Sequence, residues 1–65
     1  MASPAQERYC GKTEAVASYY AALDGLQVQI AVRDGVCFAC VREGLVPDRV
    51  NFYIRDGFVY DAEIG

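Results

Sequence analysis

Apolar residues recur along this chain at two different periods, and the change of period divides it. Between Thr13 and Leu23 the positions Val16, Tyr19, Tyr20 and Leu23 fall three and four apart, the spacing of a helix with one buried stripe. Thr13 offers a side-chain oxygen to the first turn, Glu14 sits at the positive helix end, and Asp24-Gly25 follows the last apolar residue. Those signals predict one amphipathic helix over about 13–23. The stripe reads as core, so Tyr19 and Tyr20 require no ligand. Upstream, Ser3-Pro4-Ala5-Gln6 has the pattern of a capping box with proline at the first helical position, and Gly11 interrupts it. A short capping turn or tail is expected over 1–11.

From residue 27 onward the period falls to two. Alternating runs at about 27–33, 36–41, 49–55 and 58–64 predict strands, and Val28 to Gly35 is echoed by Val50 to Gly57, each ending in Arg-Asp-Gly. Read as a three-residue hairpin loop, Arg-Asp-Gly pairs Val32 with Val36 and Ile54 with Phe58. Val28, Ile30, Val32, Val36, Phe38 and Cys40 then share a face, as do Val50, Phe52, Ile54, Phe58, Tyr60, Ala62 and Ile64. Gln29, Arg33, Asn51, Tyr53, Arg55, Asp61 and Glu63 fall on the other side, polar enough to meet water. The expected fold class is α+β: the helix packed on a small, mainly antiparallel sheet of three to four strands, with 1–65 as a single domain.

A chain of 65 residues closes one core at most, and a thin one. Its charge of −3 with six scattered basic residues supplies no phosphate-binding surface, so nucleic acid is not an expected partner. No apolar run approaches the roughly 20 residues of a membrane span, and residues 1–10 lack a signal-peptide core. The chain reads as soluble, with no compartment assigned. Cys10, Cys37 and Cys40 are an odd set without any histidine, which argues against a metal site and a full disulfide framework and for buried or half-buried thiols.

Catalytic chemistry finds no foothold in the pattern. Ser3 and Ser18 lack a base, Asp61 and Glu63 sit at strand spacing on a solvated face, and Gly11-Lys12-Thr13 matches only the end of a phosphate loop. The chain is expected to be no enzyme, to need no cofactor, and to act by binding a protein.

Several residues carry a resemblance. Pro4 precedes Gly11-Lys12-Thr13 and Ala17; Val28-Gln29-Ile30 precedes Asp34-Gly35; Asp48-Arg49-Val50 leads to Phe52 and Ile54; Ile64-Gly65 closes the chain. In that order they are similar to the potato type I serine protease inhibitors, and Pro47-Asp48-Arg49-Val50-Asn51 also resembles small bacterial and fungal inhibitors thought to be related. The resemblance implies an extended protease-binding loop at Val41, Arg42 and Glu43, with Arg42 entering the specificity pocket of a trypsin-like or subtilisin-like protease and Arg49 bracing the loop from the second strand. It also implies that the strands flanking the loop pair in parallel, whereas the hairpin reading sets residues 28–32 antiparallel to 36–40.

The function expected is therefore a small non-enzymatic binding protein, most concretely a serine protease inhibitor. The alternative is a small acidic phage or bacterial regulatory protein that engages its partner through the sheet face, at Tyr53 and Arg55, or through a strand edge. A third option is a homodimer joined through strand edges.

Overall fold

The computed structural model describes residues 3–39, 44 and 46–65. Helices α1 (Pro4–Tyr9) and α2 (Glu14–Leu23) precede strands β1 (Gln27–Arg33), β2 (Val36–Cys37), β3 (Arg49–Arg55) and β4 (Phe58–Ile64). The fold is α+β, a four-stranded mixed sheet in the order β2-β1-β3-β4. Both helices pack on one face of it, where Ala5, Tyr9, Ala17 and Ala21 meet Val50, Phe52, Ile54, Val59 and Ala62.

β1 pairs antiparallel with β2 and parallel with β3, and β3 pairs antiparallel with β4. The hairpin and the parallel arrangement thus occur together: the chain folds back on β1 for two residues, then returns to run alongside β1 on its other edge. The strand expected at 36–41 spans only Val36–Cys37; Phe38 and Ala39 leave the sheet, and residues 40 and 41 lie outside the described residues.

Both Arg-Asp-Gly segments close as two-residue turns rather than three-residue loops. Arg33 pairs with Val36 and Arg55 with Phe58, and all four central residues have positive φ: Asp34 50°, Gly35 79°, Asp56 53° and Gly57 82°. That is the type I′ turn, whose twist matches that of the flanking strands and whose left-handed positions suit aspartate and glycine. The shorter turn sets Val59 opposite Ile54. A one-residue register shift then leaves Tyr60 outside the ladder and restores Phe52 opposite Ala62. Val59 is consequently buried, while Phe58, Tyr60 and Ile64, expected in the core, are exposed.

The helix presents a different face from the one its large residues suggest. Ala17 and Ala21 are fully buried and Tyr20 packs partly against them, whereas Val16, Tyr19 and Leu23 are exposed. Tyr9 and Phe52, tilted ring to ring at 5.3 Å, already fill the space beneath α2, so only alanine-sized side chains fit where the helix approaches the sheet. Thr13 caps α2 through Val16 N–H as expected.

The N-terminal segment forms a docked helix. Ser3 and Gln6 make the reciprocal capping box, and Ala5 and Tyr9 enter the core. Arg8 donates to both carboxylate oxygens of Asp24 at 3.0 Å, and the Tyr9 hydroxyl donates to Asp24 Oδ2 at 2.6 Å. This fastens α1 to the end of α2. Residues 11–14 run beside β4, exchanging backbone bonds with Gly57 and Val59.

Candidate functional site: the connection between β2 and β3

The expected binding residues Val41, Arg42 and Glu43 lie outside the described residues, as does Cys40; the segments on either side of them are tied to β1. On leaving β2, Phe38 and Ala39 both donate their N–H groups to Ala31 O, at 2.8 and 3.1 Å. On entering β3, Arg49 N–H donates to Val46 O at 3.2 Å, and Gln27 N–H donates to Asp48 O at 2.7 Å. Both ends are thereby fastened to β1, one at Ala31 and the other at Gln27. Pro47 lies in the turn between these anchors and β3, where a missing N–H interrupts no ladder.

Arg49, the expected brace, is half-buried. Its Nε and a terminal nitrogen donate to Gly65 O at 3.1 and 2.6 Å, and its own carbonyl accepts Gly65 N–H at 2.9 Å. Among the described residues its side-chain bonds go to the last residue of the chain, which is held beside the re-entry point of the connection.

Tyr53 and Arg55, the alternative partner residues, are brought together with Tyr60. The Tyr53 hydroxyl donates to Glu63 Oε1 at 2.7 Å, its ring meets Tyr60 edge-on at 6.2 Å, and the Arg55 guanidinium lies 4.9 Å over the Tyr60 ring. Arg33, placed on this polar face by the alternation, instead reaches the helix side and pairs with Glu14 at 2.7 Å. The bulge at Ala31 accounts for that, since it sets Arg33 beside Ile54.

The cysteines separate. Cys10 is a half-buried free thiol whose pKa is raised, first by burial and then by Asp61, so that its nucleophilic form is disfavoured. Cys37 is exposed and disulfide-bonded, contrary to the expectation of buried thiols: at the solvent edge of a two-residue strand there is no core to bury it. Among the described residues no group of three or more His, Cys, Asp or Glu side chains is placed to hold a metal ion, and no helix is long and apolar enough to cross a membrane.

A cleft of about 280 Å³ opens between α1 and the end of β4, lined by Pro4, Ala5, Arg8, Tyr9, Asp24, Leu26 and Ile64. Its polar groups, Arg8, Tyr9 and Asp24, are already committed to one another.

The pattern of alternation missed Asn51. Expected on a water-facing side, it is completely buried, with its Nδ2 donating to Glu63 O at 3.3 Å. Asparagine is poorly suited to a central strand, and its position between Val50 and Phe52 was the available signal. No family model, curated protein or solved structure matches the chain.

Proposed function

We propose that this chain is a non-enzymatic binding protein that inhibits a serine protease, with Val41, Arg42 and Glu43 as its contact stretch. The carrying observation is the pair of anchors on β1: the connection leaves and rejoins the sheet on one strand, at Ala31 and Gln27. A stretch strung between fixed points loses less freedom when it is gripped, so a small contact area yields tighter binding. Arg42 supplies the cation that an acidic trypsin-type pocket accepts, and Glu43 follows it across the bond presented to the enzyme.

Titration of trypsin, chymotrypsin and subtilisin with the purified chain tests the reading. Trypsin is expected to be inhibited below micromolar concentration, and Arg42→Ala to weaken that inhibition about a hundredfold, a loss of hot-spot size, with an unchanged circular dichroism spectrum. Full activity of all three enzymes at micromolar inhibitor overturns the proposal. The partner-protein alternative draws its support from the exposed Phe58, Tyr60 and Arg55 group; it is favoured if Tyr60→Ala and Arg55→Ala abolish a physiological interaction that Arg42→Ala leaves intact.

A further inference from the structure

α2 carries its large apolar side chains on the side away from the sheet. Ala17 and Ala21 are buried in the core, while Val16, Tyr19 and Leu23 are 44, 63 and 61 % exposed. Ala15 and Ala22 beside them are exposed too, so every exposed residue of this ten-residue helix is apolar. No charged residue stands between Glu14 and Asp24. A helix at the surface of a monomer ordinarily turns charged and polar residues outward, and a contiguous exposed apolar patch marks an interaction surface. Tyr20 provides the contrast: half-buried, it has Arg8 and Lys12 of its own chain over its ring at 4.7 and 5.4 Å.

We propose that this face pairs with the same face of a second copy of the chain, giving a two-fold dimer through α2 that uses no strand edge and does not depend on the inhibitor reading. The face is complementary to itself. Tyr19 stands three residues after Val16 and four before Leu23, and four after Ala15 and three before Ala22. A two-fold axis beside Tyr19 lays two α2 helices antiparallel and sets Tyr19 against its equivalent. It brings each Val16 to Leu23 of the other copy, and each Ala15 to Ala22, where methyl-sized side chains let the backbones approach. The ends match as well. Lys12 precedes the first turn of α2, and the last turn has no basic residue; antiparallel pairing carries each Lys12 to the negative end of the other helix and opposes the two dipoles. A contact along one helix of about 15 Å buries less than the ~1,200 Å² of a standard interface. The dimer is therefore weak and reversible, with dissociation near ~0.1 mM.

Sedimentation equilibrium of the purified chain from about 10 µM to about 1 mM brackets that dissociation constant, and wild type is expected to pass from monomer to dimer across it. Tyr19→Ser, Val16→Glu and Leu23→Lys, each with an unchanged circular dichroism spectrum, are expected to weaken association at least about tenfold; the two new charges suit the helix ends at which they stand. An equimolar mixture of Val16→Glu and Leu23→Lys is expected to recover the dimer. The pairing sets the new carboxylate of one chain against the new ammonium of the other and keeps the second Val16–Leu23 contact. A wild type that stays monomeric at about 1 mM, well above that constant, overturns the inference and leaves the face to a different protein. A dimer that survives Tyr19→Ser overturns it in favour of strand edges, and a mixture that associates no better than its components overturns the two-fold antiparallel pairing. Should a charged variant lose its spectrum, Tyr19→Ser against wild type decides.

Discussion

Residues 28–35 and 50–57 both run through alternating apolar positions into Arg-Asp-Gly, and both close a two-residue turn with Asp and Gly at positive φ. The strand that follows is two residues long in the first case and seven in the second. The turns even touch, Asp56 N–H donating to Asp34 Oδ1 at 2.8 Å. What differs is what lies beyond them. After Gly57 the alternation continues for seven residues, Val59 and Ala62 are buried, and α1 and residues 11–14 pack against β4. After Gly35 both residues of β2 are exposed. Turn chemistry starts a hairpin, and burial of its far strand decides how long it is.

The largest expected effect breaks the buried hairpin. Ile54 is 1 % exposed and faces Val59, so Ile54→Ala should cost about 3 kcal/mol in urea unfolding, transfer and cavity terms together. Val32→Ala, on the strand of the short hairpin and only half-buried, should cost less than half as much. Equal losses would mean that the two hairpins share the core equally.

The turns provide a second comparison. An alanine at Gly57 or Gly35 meets no neighbouring atom, so each substitution adds only the strain of a left-handed L-residue, about 1–2 kcal/mol. At Gly57 that strain should be felt in full, because β4 cannot let go without opening the core. At Gly35 the two pairs of β2 can fray and relieve it, so the measured loss should be smaller. Matching losses would show β2 to fold cooperatively with the rest.

A third test concerns the helix that backs β4. Tyr9 is buried with its hydroxyl on the Asp24 carboxylate, and its pKa is pushed up to about 12, chiefly by burial and then by the bond to Asp24. A folded pKa above the unfolded value near 10 means that the neutral tyrosine stabilises the fold below about pH 10, and that this contribution is lost as pH rises towards 12. Asp24 is shifted downward, first by Arg8 and then by Tyr9, so its contribution holds above the ordinary aspartate range and fades on acidification below about pH 4. Tyr9→Phe should cost about 1 kcal/mol at neutral pH and flatten the alkaline limb of the midpoint-versus-pH curve. An unchanged alkaline limb would detach α1 from the stability of β4.

Much of this was legible in the residues. The strands at 27–33, 49–55 and 58–64 have their expected bounds, and α2 begins one residue after its cap Thr13, because period and capping are local signals. Three features were not. The spacing points to Val16, Tyr19 and Leu23 because they are the larger apolar residues, while the space over Phe52 and Tyr9 takes Ala17 and Ala21. The turn length is ambiguous in the residues because Arg-Asp-Gly fits both loop lengths, and a later bulge at Tyr60 restores the alternation. Alternation places Asn51 towards water because it sorts residues by face without saying what covers each face, and Asn51 is buried. The parallel pairing of β1 and β3 was implied by the resemblance and not by the residue pattern, which records no partner for a strand beyond its own hairpin.

The smallest expected effect is the most pointed. Val36 is 56 % exposed and pairs with Arg33, whose guanidinium is engaged by Glu14. Val36→Ala removes little apolar surface from contact and creates no cavity, so it should change unfolding free energy by less than about 0.5 kcal/mol. Its counterpart Phe58, also exposed but bridged to Thr13 at the start of α2, should lose more on truncation to alanine, about 1 kcal/mol. If Val36→Ala instead matches or exceeds Phe58→Ala, some part of the molecule covers β2 more completely than its exposure implies. The short hairpin would then be a structural element in its own right, and not merely the point at which the chain leaves the sheet.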